Sequence, residues 1–520
     1  MCGLLKFDSK KLNSILSKYG LAGAWKNILA THIKNKTDFQ YILKDEKFND
    51  YIFLESDLIQ GLSIGEIGVL YEYSLSYVDH SSRRKSGQYF TPDDIAALMA
   101  KYSKDFKQGI WLDPCSGIGN LSWYLVNCQK DKERFVINNL ILSDTDELAL
   151  FIARVLFTLS FQDKDTNLFN TIENNFKVFD FLSVADDGQK KLFDEYSLNK
   201  IPKHDFVIVN PPYLSTDENT KFETSKCSDL YAYFLENIIK TSKGFISITP
   251  QSFTNAAKFY SLRKLLLDKF SNITIYNFDN VPDNIFHGVK FGSTNTNMAN
   301  SIRASIIVAL PGEGKHRITS LLRWKVSERK KMLEMLDVFL SEVQLTADYF
   351  PKVNKFFEPL YNRLDKRKTL GTLLSKKKTK FVLYVPSTPR YFISALKKPV
   401  KRSSLKVIYF NNEKDLNFAY ELLNSSLMYW WWRVRDGGMT LALETIESLP
   451  IYNYSPDTKI IALLEKSETE NKVYKVNCGR VQENIKHPLE ILNYVNENVV
   501  PDYSDKFLNV HLNSELKQVC

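Results

Sequence analysis

Asp205-Phe-Val-Ile-Val-Asn210-Pro211-Pro212-Tyr213 is the stretch that decides how this 520-residue chain is read. Phe206, Val207, Ile208 and Val209 are aromatic or β-branched without a break, the pattern of a strand buried on both faces. Two prolines then stop it, because each fixes its backbone and lacks an N–H for the next ladder bond. What remains at the strand's carboxyl end is the Asn210 amide, two carbonyls with no N–H alongside, and the Tyr213 ring. Such a set can accept both hydrogens of a planar amino group while a ring covers its face. A plain turn needs none of it.

Working outward, similar short apolar runs occur at 109–113, 140–144, 177–181, 244–249, 273–278 and 304–310, separated by helix-like stretches. Strands alternating with helices predict βαβ units. The expected fold is α/β, a Rossmann-like, mostly parallel twisted sheet occupying residues 81–312. Before it, Leu12, Ile15, Leu16 and Tyr19, then Ile64, Ile67, Leu70 and Tyr71, return at helical spacing and predict a helical segment over 1–80. The basic stretch Ser81-Ser-Arg-Arg-Lys-Ser-Gly87 links the two. After the turn signal Pro311-Gly-Glu-Gly314, residues 313–520 mix α and β patterns and predict a second domain.

Three of the predicted strands end in acid. The first runs into Asp113-Pro-Cys115-Ser-Gly117-Ile-Gly119-Asn120, where glycines allow close backbone approach to a ligand. It is neither a complete dinucleotide fingerprint nor a phosphate-binding loop ending in Gly-Lys-Ser/Thr. The second ends Asp144-Thr145-Asp146. Asp144 lies 25 residues beyond Gly119, near the spacing at which an acid meets a ribose diol. Asp144 or Asp146 equally suits a helix N-cap. The third ends Asp180-Phe181. Open α/β sheets bind ligands at this edge, and three carboxylates there fit a nucleoside carrying positive charge.

Net charge is +9, but residues 361–410 hold 14 Lys/Arg against Asp365 alone, which leaves the rest of the chain at −4. With Phe381, Tyr384, Tyr391, Phe392 and Tyr409 interleaved, the block reads as a phosphate-contacting surface or a solvated basic loop. Cysteines 2, 115, 128, 227, 478 and 520 form no CxxC pair, so neither a disulfide scaffold nor a structural metal is expected. No apolar run reaches the roughly 18 residues of a membrane span. A soluble, cytoplasmic chain without membrane attachment is the expectation.

Asn-Pro-Pro-Tyr after a strand, preceded by Asp-x-x-x-Gly-x-Gly, resembles the S-adenosylmethionine-dependent amino-group methyltransferases. Upstream, Gly87-Gln-Tyr89-Phe-Thr91-Pro92-Asp93-Asp94 is similar to the N-terminal cofactor motif of DNA adenine-N6 methyltransferases. The motif order is that of the gamma, or TaqI-type, class found in restriction–modification systems. The resemblance covers about residues 62–310. It implies that S-adenosylmethionine is held by Tyr89, Thr91, Pro92, Asp113, Cys115, Gly117 and Gly119, by Asp144 and Thr145 at the ribose, and by Asp180, Phe181 and Asn210. It also implies catalysis by Asn210, Pro211, Pro212 and Tyr213, with the target base between Tyr213 and a second ring. Phe286 is the candidate for that ring, Phe278 the reserve, and an ordinary core role for Phe286 stays open.

Thr91 is expected as an N-cap with Pro92 at the first helical position and Asp94 closing a capping box. Cys115, after Pro114 and with no His nearby in sequence, is not expected to be a nucleophile. Residues 422–451 are similar to target-recognition regions, and Arg363, Lys376, Lys377, Lys378, Lys380, Arg390, Lys397, Lys398, Lys401 and Arg402 are the DNA-contact candidates. Tyr429-Trp430-Trp431-Trp432 is read as core rather than as a base-stacking platform. The implied partners are double-stranded DNA and a separate restriction endonuclease, the chain acting as a monomer on DNA with a dimer as alternative. Residues 1–80 hold no Pro-Asp followed by Glu-x-Lys, so no nuclease activity is expected of them. The alternatives are a modification subunit that needs a specificity partner, or methylation of a protein glutamine or an RNA amino group.

Overall fold

The computed structural model describes residues 9–78, 91–163, 167–183, 201–286, 302–364, 366–389, 392–402, 404–436, 438, 440–477 and 479–518, with short backbone pieces at 290–291 and 294–295. It divides into two compact units, 1–316 with 346–348, and 317–345 with 349–520.

The first unit is built on seven strands: β1 Trp111–Asp113, β2 Leu140–Asp144, β3 Phe176–Val178, β4 Phe206–Val209, β5 Gly244–Pro250, β6 Asn272–Phe278 and β7 Ala304–Leu310. Their order is β6-β7-β5-β4-β1-β2-β3. The five strands from β5 to β3 are parallel, and β7 runs antiparallel between β5 and β6. The expected Rossmann-like sheet is therefore present. Every residue of β4 is buried, as its unbroken apolar run requires. β3 stops earlier than the apolar pattern suggested. Phe179 N–H makes a last bond to the Asp144 carbonyl, and the Asp180 carboxylate then takes the Leu182 N–H and turns the chain out of the sheet.

Helices α1 Ser9–Ile33, kinked at Gly20, and α2 Ile64–Val78 form the N-terminal part. They share one apolar core with the face of α6 Glu147–Phe161, reached after α3 Asp93–Lys101, α4 Asn120–Asn127 and α5 Lys132–Asn138. Trp25 meets Tyr71 edge-on at 5.4 Å, and Phe48 packs on Phe151 at 5.3 Å. α7 Leu230–Thr241 follows β4, and α8 Tyr260–Lys269 follows β5.

In the second unit, β8 His316–Leu322 pairs with β9 Leu340–Glu342. β10 Val382–Pro386 pairs with β11 Leu405–Tyr409, and β12 Lys472–Asn477 with β13 Arg480–Ile485. Around them lie α9 Glu358–Leu364, α10 Glu413–Leu423, α11 Ser426–Arg435, α12 Thr458–Glu470 and α13 Leu489–Val499. Tyr429, Trp430, Trp431 and Trp432 on α11 are all buried, as the core reading required. No described helix is long and apolar enough to cross a membrane. Among the described residues no group of three or more potential metal ligands comes together.

Candidate functional site

At the carboxyl ends of β1, β2, β3 and β4 lies a cavity of about 440 Å³, within the size range of small-ligand sites. Of the residues singled out from sequence, Thr91, Asp113, Cys115, Gly117, Asp144, Thr145, Asp180, Phe181, Asn210 and Pro212 line it. Tyr89, 22 residues before β1, lies outside the described residues, as does Arg390. Pro92, Gly119, Pro211, Tyr213 and Phe286 are not in its wall.

The loop after β1 is shaped by Gly117 and Gly119, both in the left-handed region at φ 52° and 85°. A Cβ on Gly117 would meet nothing, which leaves its backbone open to the cavity. One on Gly119 would come within 2.7 Å of Phe157, so this glycine serves helix–sheet packing. Asp144 holds the loop by accepting from Gly117 N–H at 2.7 Å, and also accepts from Asp146 N–H at 3.0 Å. Asp146 takes the N-cap of α6, accepting from Leu148 and Ala149. The two acids thus divide the roles that their spacing left open: Asp146 caps α6 and Asp144 holds the glycine loop, while both line the cavity.

Asp113 is fully buried. Its Oδ2 accepts from Ser122 Oγ at 2.9 Å, and its Oδ1 meets no hydrogen bond of good geometry among the described residues. Burial above all, with the charge of Asp144 adding to it, pushes its carboxyl up to about 7 against the pull of the Ser122 hydroxyl. Asp144 is raised in the same way, by burial first, against the Asp146 and Gly117 amides. Two carboxyls short of compensation, with Asp180 nearby in the same wall, are the donor set a cationic ligand satisfies. S-adenosylmethionine, with a sulfonium and an ammonium group, fits that set. The Cys115 thiol is half-buried, is pushed well above its ordinary range by its surroundings, and donates to the Asn210 carbonyl at 3.2 Å. It lines the cavity beside Asp113.

Thr91 departs from expectation. Helix α3 starts at Asp93 with Pro92 at the N-cap and no side-chain cap. The Thr91 hydroxyl instead accepts from Asn210 Nδ2 at 2.9 Å, and its carbonyl accepts from Asn120 Nδ2 at 2.7 Å. Asp94 therefore closes no capping box, while Asp93 accepts from Ser63 Oγ at 2.5 Å. The tertiary bond to Asn210 outweighs the local cap. It ties the N-terminal motif, the glycine loop and the strand-end Asn together, and it orients the amide with its nitrogen on Thr91 and its oxygen turned the opposite way.

Tyr213 is buried, its hydroxyl donating to the Ile248 carbonyl at 3.0 Å. Phe286 is also buried and meets Tyr213 at 6.0 Å with the rings 64° apart. The rings make contact edge to face, so they do not form an open parallel slot for a base in this structure. Phe278, the reserve, is a buried residue of β6.

The sequence reading missed the wall supplied by α2. Gly68, Tyr71, Glu72 and Leu75 line the cavity, and Tyr71 hydroxyl donates to Asp146 Oδ2 at 2.6 Å. On α7, Leu230 and Phe234 also line it, with Phe234 stacked on Phe181 at 5.4 Å. Helical periodicity marked Tyr71 as buried without showing what it would be buried against, and gave no sign of the others.

The basic block divides in two. Lys376, Lys377, Lys378, Lys380, Lys398 and Lys401 are exposed. Lys397 pairs with Glu465 at 2.5 Å and donates to Asn417. Arg402 donates to Asn484 and to Thr388. Arg363 lies over Tyr503 and pairs with Asp502 at 3.6 Å. Lys397 and Arg402 are thus held by partners within the protein, whereas Arg363, in a loose pair with an exposed Asp502, stays half exposed.

Residues 138–286 match the family described as Eco57I restriction-modification methylase. Among curated proteins, the chain is 26% identical over 256 residues to the type II methyltransferase M.PstI of Providencia stuartii, covering 43% of this chain and 46% of the relative. It is 23% identical over 235 residues to the type I restriction enzyme MjaVIII methylase subunit of Methanocaldococcus jannaschii, covering 44% and 34%. The chain thus spans less than half the length of these relatives. Among solved structures, the DrdV–DNA complex aligns with a TM-score of 0.45 at 13% identity, over 73% of this chain and 46% of that one. The resemblance to restriction–modification methylases expected from the motifs is borne out.

Proposed function

We propose that this chain is a sequence-specific DNA methyltransferase of the gamma class, which moves a methyl group from S-adenosylmethionine to N6 of an adenine flipped out of double-stranded DNA. The observation that carries the reading is Asn210, oriented by Thr91 at the edge of an acid-lined cavity and followed by Pro-Pro-Tyr. Asp113 and the glycine loop would hold the methionine end of the cofactor, Asp144 and Thr145 the ribose, and Asp180 with Phe181 the adenine. The cofactor supplies an electrophilic methyl group.

The exocyclic amine of adenine is a poor nucleophile because its lone pair is delocalised into the ring. Asn210 Oδ1 and the Pro211 carbonyl, accepting its two hydrogens, draw them out of plane and localise the lone pair. The proton becomes acidic only as the new N–C bond forms, so positioning and electrostatics suffice without a strong base. Tyr213 and Phe286 are the ring walls for the target base. Since they meet edge to face, one must turn as the base enters; extruding that base from the duplex itself costs a few kcal/mol of unstacking. Phosphate contacts fall to Lys376, Lys377, Lys378, Lys380, Lys398 and Lys401. The match to a type I methylase subunit supports a second reading, in which a partner chain supplies sequence choice.

The test is a long-read modified-base map of DNA from cells expressing this chain, beside Asn210→Ala and Thr91→Val. N6-methyladenine in one sequence context should vanish in Asn210→Ala with cofactor affinity near normal. Thr91→Val should lower the rate of transfer more than cofactor affinity, because the amide loses its anchor. Wild-type transfer by Asn210→Ala would sink the assignment.

A further inference from the structure

The β12–β13 hairpin carries an apolar face that no described residue covers. Tyr474 and Val476 lie two residues apart on one strand and share a face, and Val481 is the cross-strand partner of Val476. These side chains are 61%, 73% and 52% exposed, whereas Ile485 at the hairpin's base is buried. Exposure rises toward the tip, so the hairpin projects from its unit. Exposed apolar strand pairs invite association, and proteins usually blunt them with charge.

The hairpin is fastened to the basic block. Glu483 N–H donates to the Lys401 carbonyl at 3.0 Å, and Ser394 Oγ donates to the Ile485 carbonyl at 2.5 Å. Arg402 reaches Asn484. The arginine that the charge pattern offered to phosphates braces this hairpin. Its one paired acid, Glu483, is neutralised by Lys472 at 2.9 Å. Lys398, Lys401, Lys475 and Lys486 stay exposed, with no carboxylate partner among the described residues.

We infer that this hairpin is a DNA-reading ribbon that enters the major groove. This rests on the methyltransferase reading above. A two-stranded ribbon fits the major groove's width of about 12 Å, where apolar side chains contact thymine methyl groups. The surrounding lysines match the charge of the phosphates on either side. Tyr474, Val476 and Val481 therefore contribute sequence choice, and the lysines contribute position.

The full chain and its Val476→Asn/Val481→Asn variant would be compared by selecting duplexes from a randomised pool by binding alone. Melting temperature and sedimentation mass would be measured alongside. The variant should melt like wild type and bind bulk duplex DNA equally well, yet lose preference for the wild-type consensus by tenfold or more. Because selection needs no methyl transfer, this outcome stands even if Asn210→Ala disproves catalysis. An unchanged consensus overturns the inference, as does failure of the wild-type chain to bind duplex DNA. So does a fall in sedimentation mass with the consensus retained, which would make the face a contact between copies.

Discussion

At the scale of single residues, the acid-lined cavity has a pH signature. The Asp113 carboxyl ionises near 7 in the folded protein against 3.8 ordinarily, chiefly through burial. Between those values the native state holds a proton that the unfolded chain has lost. Stability contributed at this position therefore falls as pH rises from about 4 to 7 and levels off above. A bound cation has the opposite preference, since it favours the carboxylate. Affinity for S-adenosylmethionine should therefore climb as pH approaches 7, by no more than about tenfold per pH unit, and then flatten. Calorimetric titration at several pH values would show this, with Asp113→Asn giving weaker binding and a shallower pH dependence, Asp144 supplying what remains. A flat wild-type profile across the same range would remove Asp113 from the cationic site. Which acid does what was only half legible beforehand. Asp144 and Asp146 both suited a cap by type and spacing, and only the path of the glycine loop, hung on Asp144 through Gly117, separates them.

At the scale of elements, the sheet was readable because its strands are unbroken apolar runs closed by turn residues, and β2 and β7 have the bounds those runs gave. Thr91 was misread for the opposite reason. A Thr-Pro-Asp-Asp signature describes a local cap, while the competing partner, Asn210, lies 119 residues away. The role of α2 was hidden for a related reason, since helical periodicity gives a buried face without naming its neighbour. In the structure, Trp25 on α1 supports Tyr71 on α2, and Tyr71 holds Asp146 at the head of α6. The N-terminal helices are therefore part of the cofactor site's frame. Trp25 is fully buried, so Trp25→Ala should cost about 3–5 kcal/mol. Denaturant unfolding should show the first unit and cofactor binding failing together, in one transition at lower denaturant. An early N-terminal transition that leaves cofactor affinity intact would make α1 and α2 an accessory instead.

At the scale of the whole molecule, a chain summing to −4 elsewhere concentrates +13 in fifty residues, and that contrast survives only in part once side chains are placed. Charge counting cannot tell a cation that meets solvent from one that meets a carboxylate or a carbonyl. Lys397 and Arg402 are spent on Glu465, Asn417, Asn484 and Thr388, whereas Lys376, Lys377 and Lys378 meet solvent. The two groups should behave differently on DNA. Each phosphate neutralised by a lysine releases counterions and contributes about 0.9 to the slope of log affinity against log salt. Replacing Lys376, Lys377 and Lys378 by Ala should therefore flatten that slope by about two to three and leave thermal stability unchanged. Arg402→Ala should do the reverse, lowering stability by loosening the β12–β13 hairpin while the slope holds. Fluorescence-anisotropy titrations of duplex DNA across a salt series, run beside melting curves, measure both quantities on the same samples. Should the lysine triple variant keep the wild-type slope while Arg402→Ala flattens it, the phosphate contacts lie with the cations that the fold uses as struts, and the exposed lysines serve solubility alone.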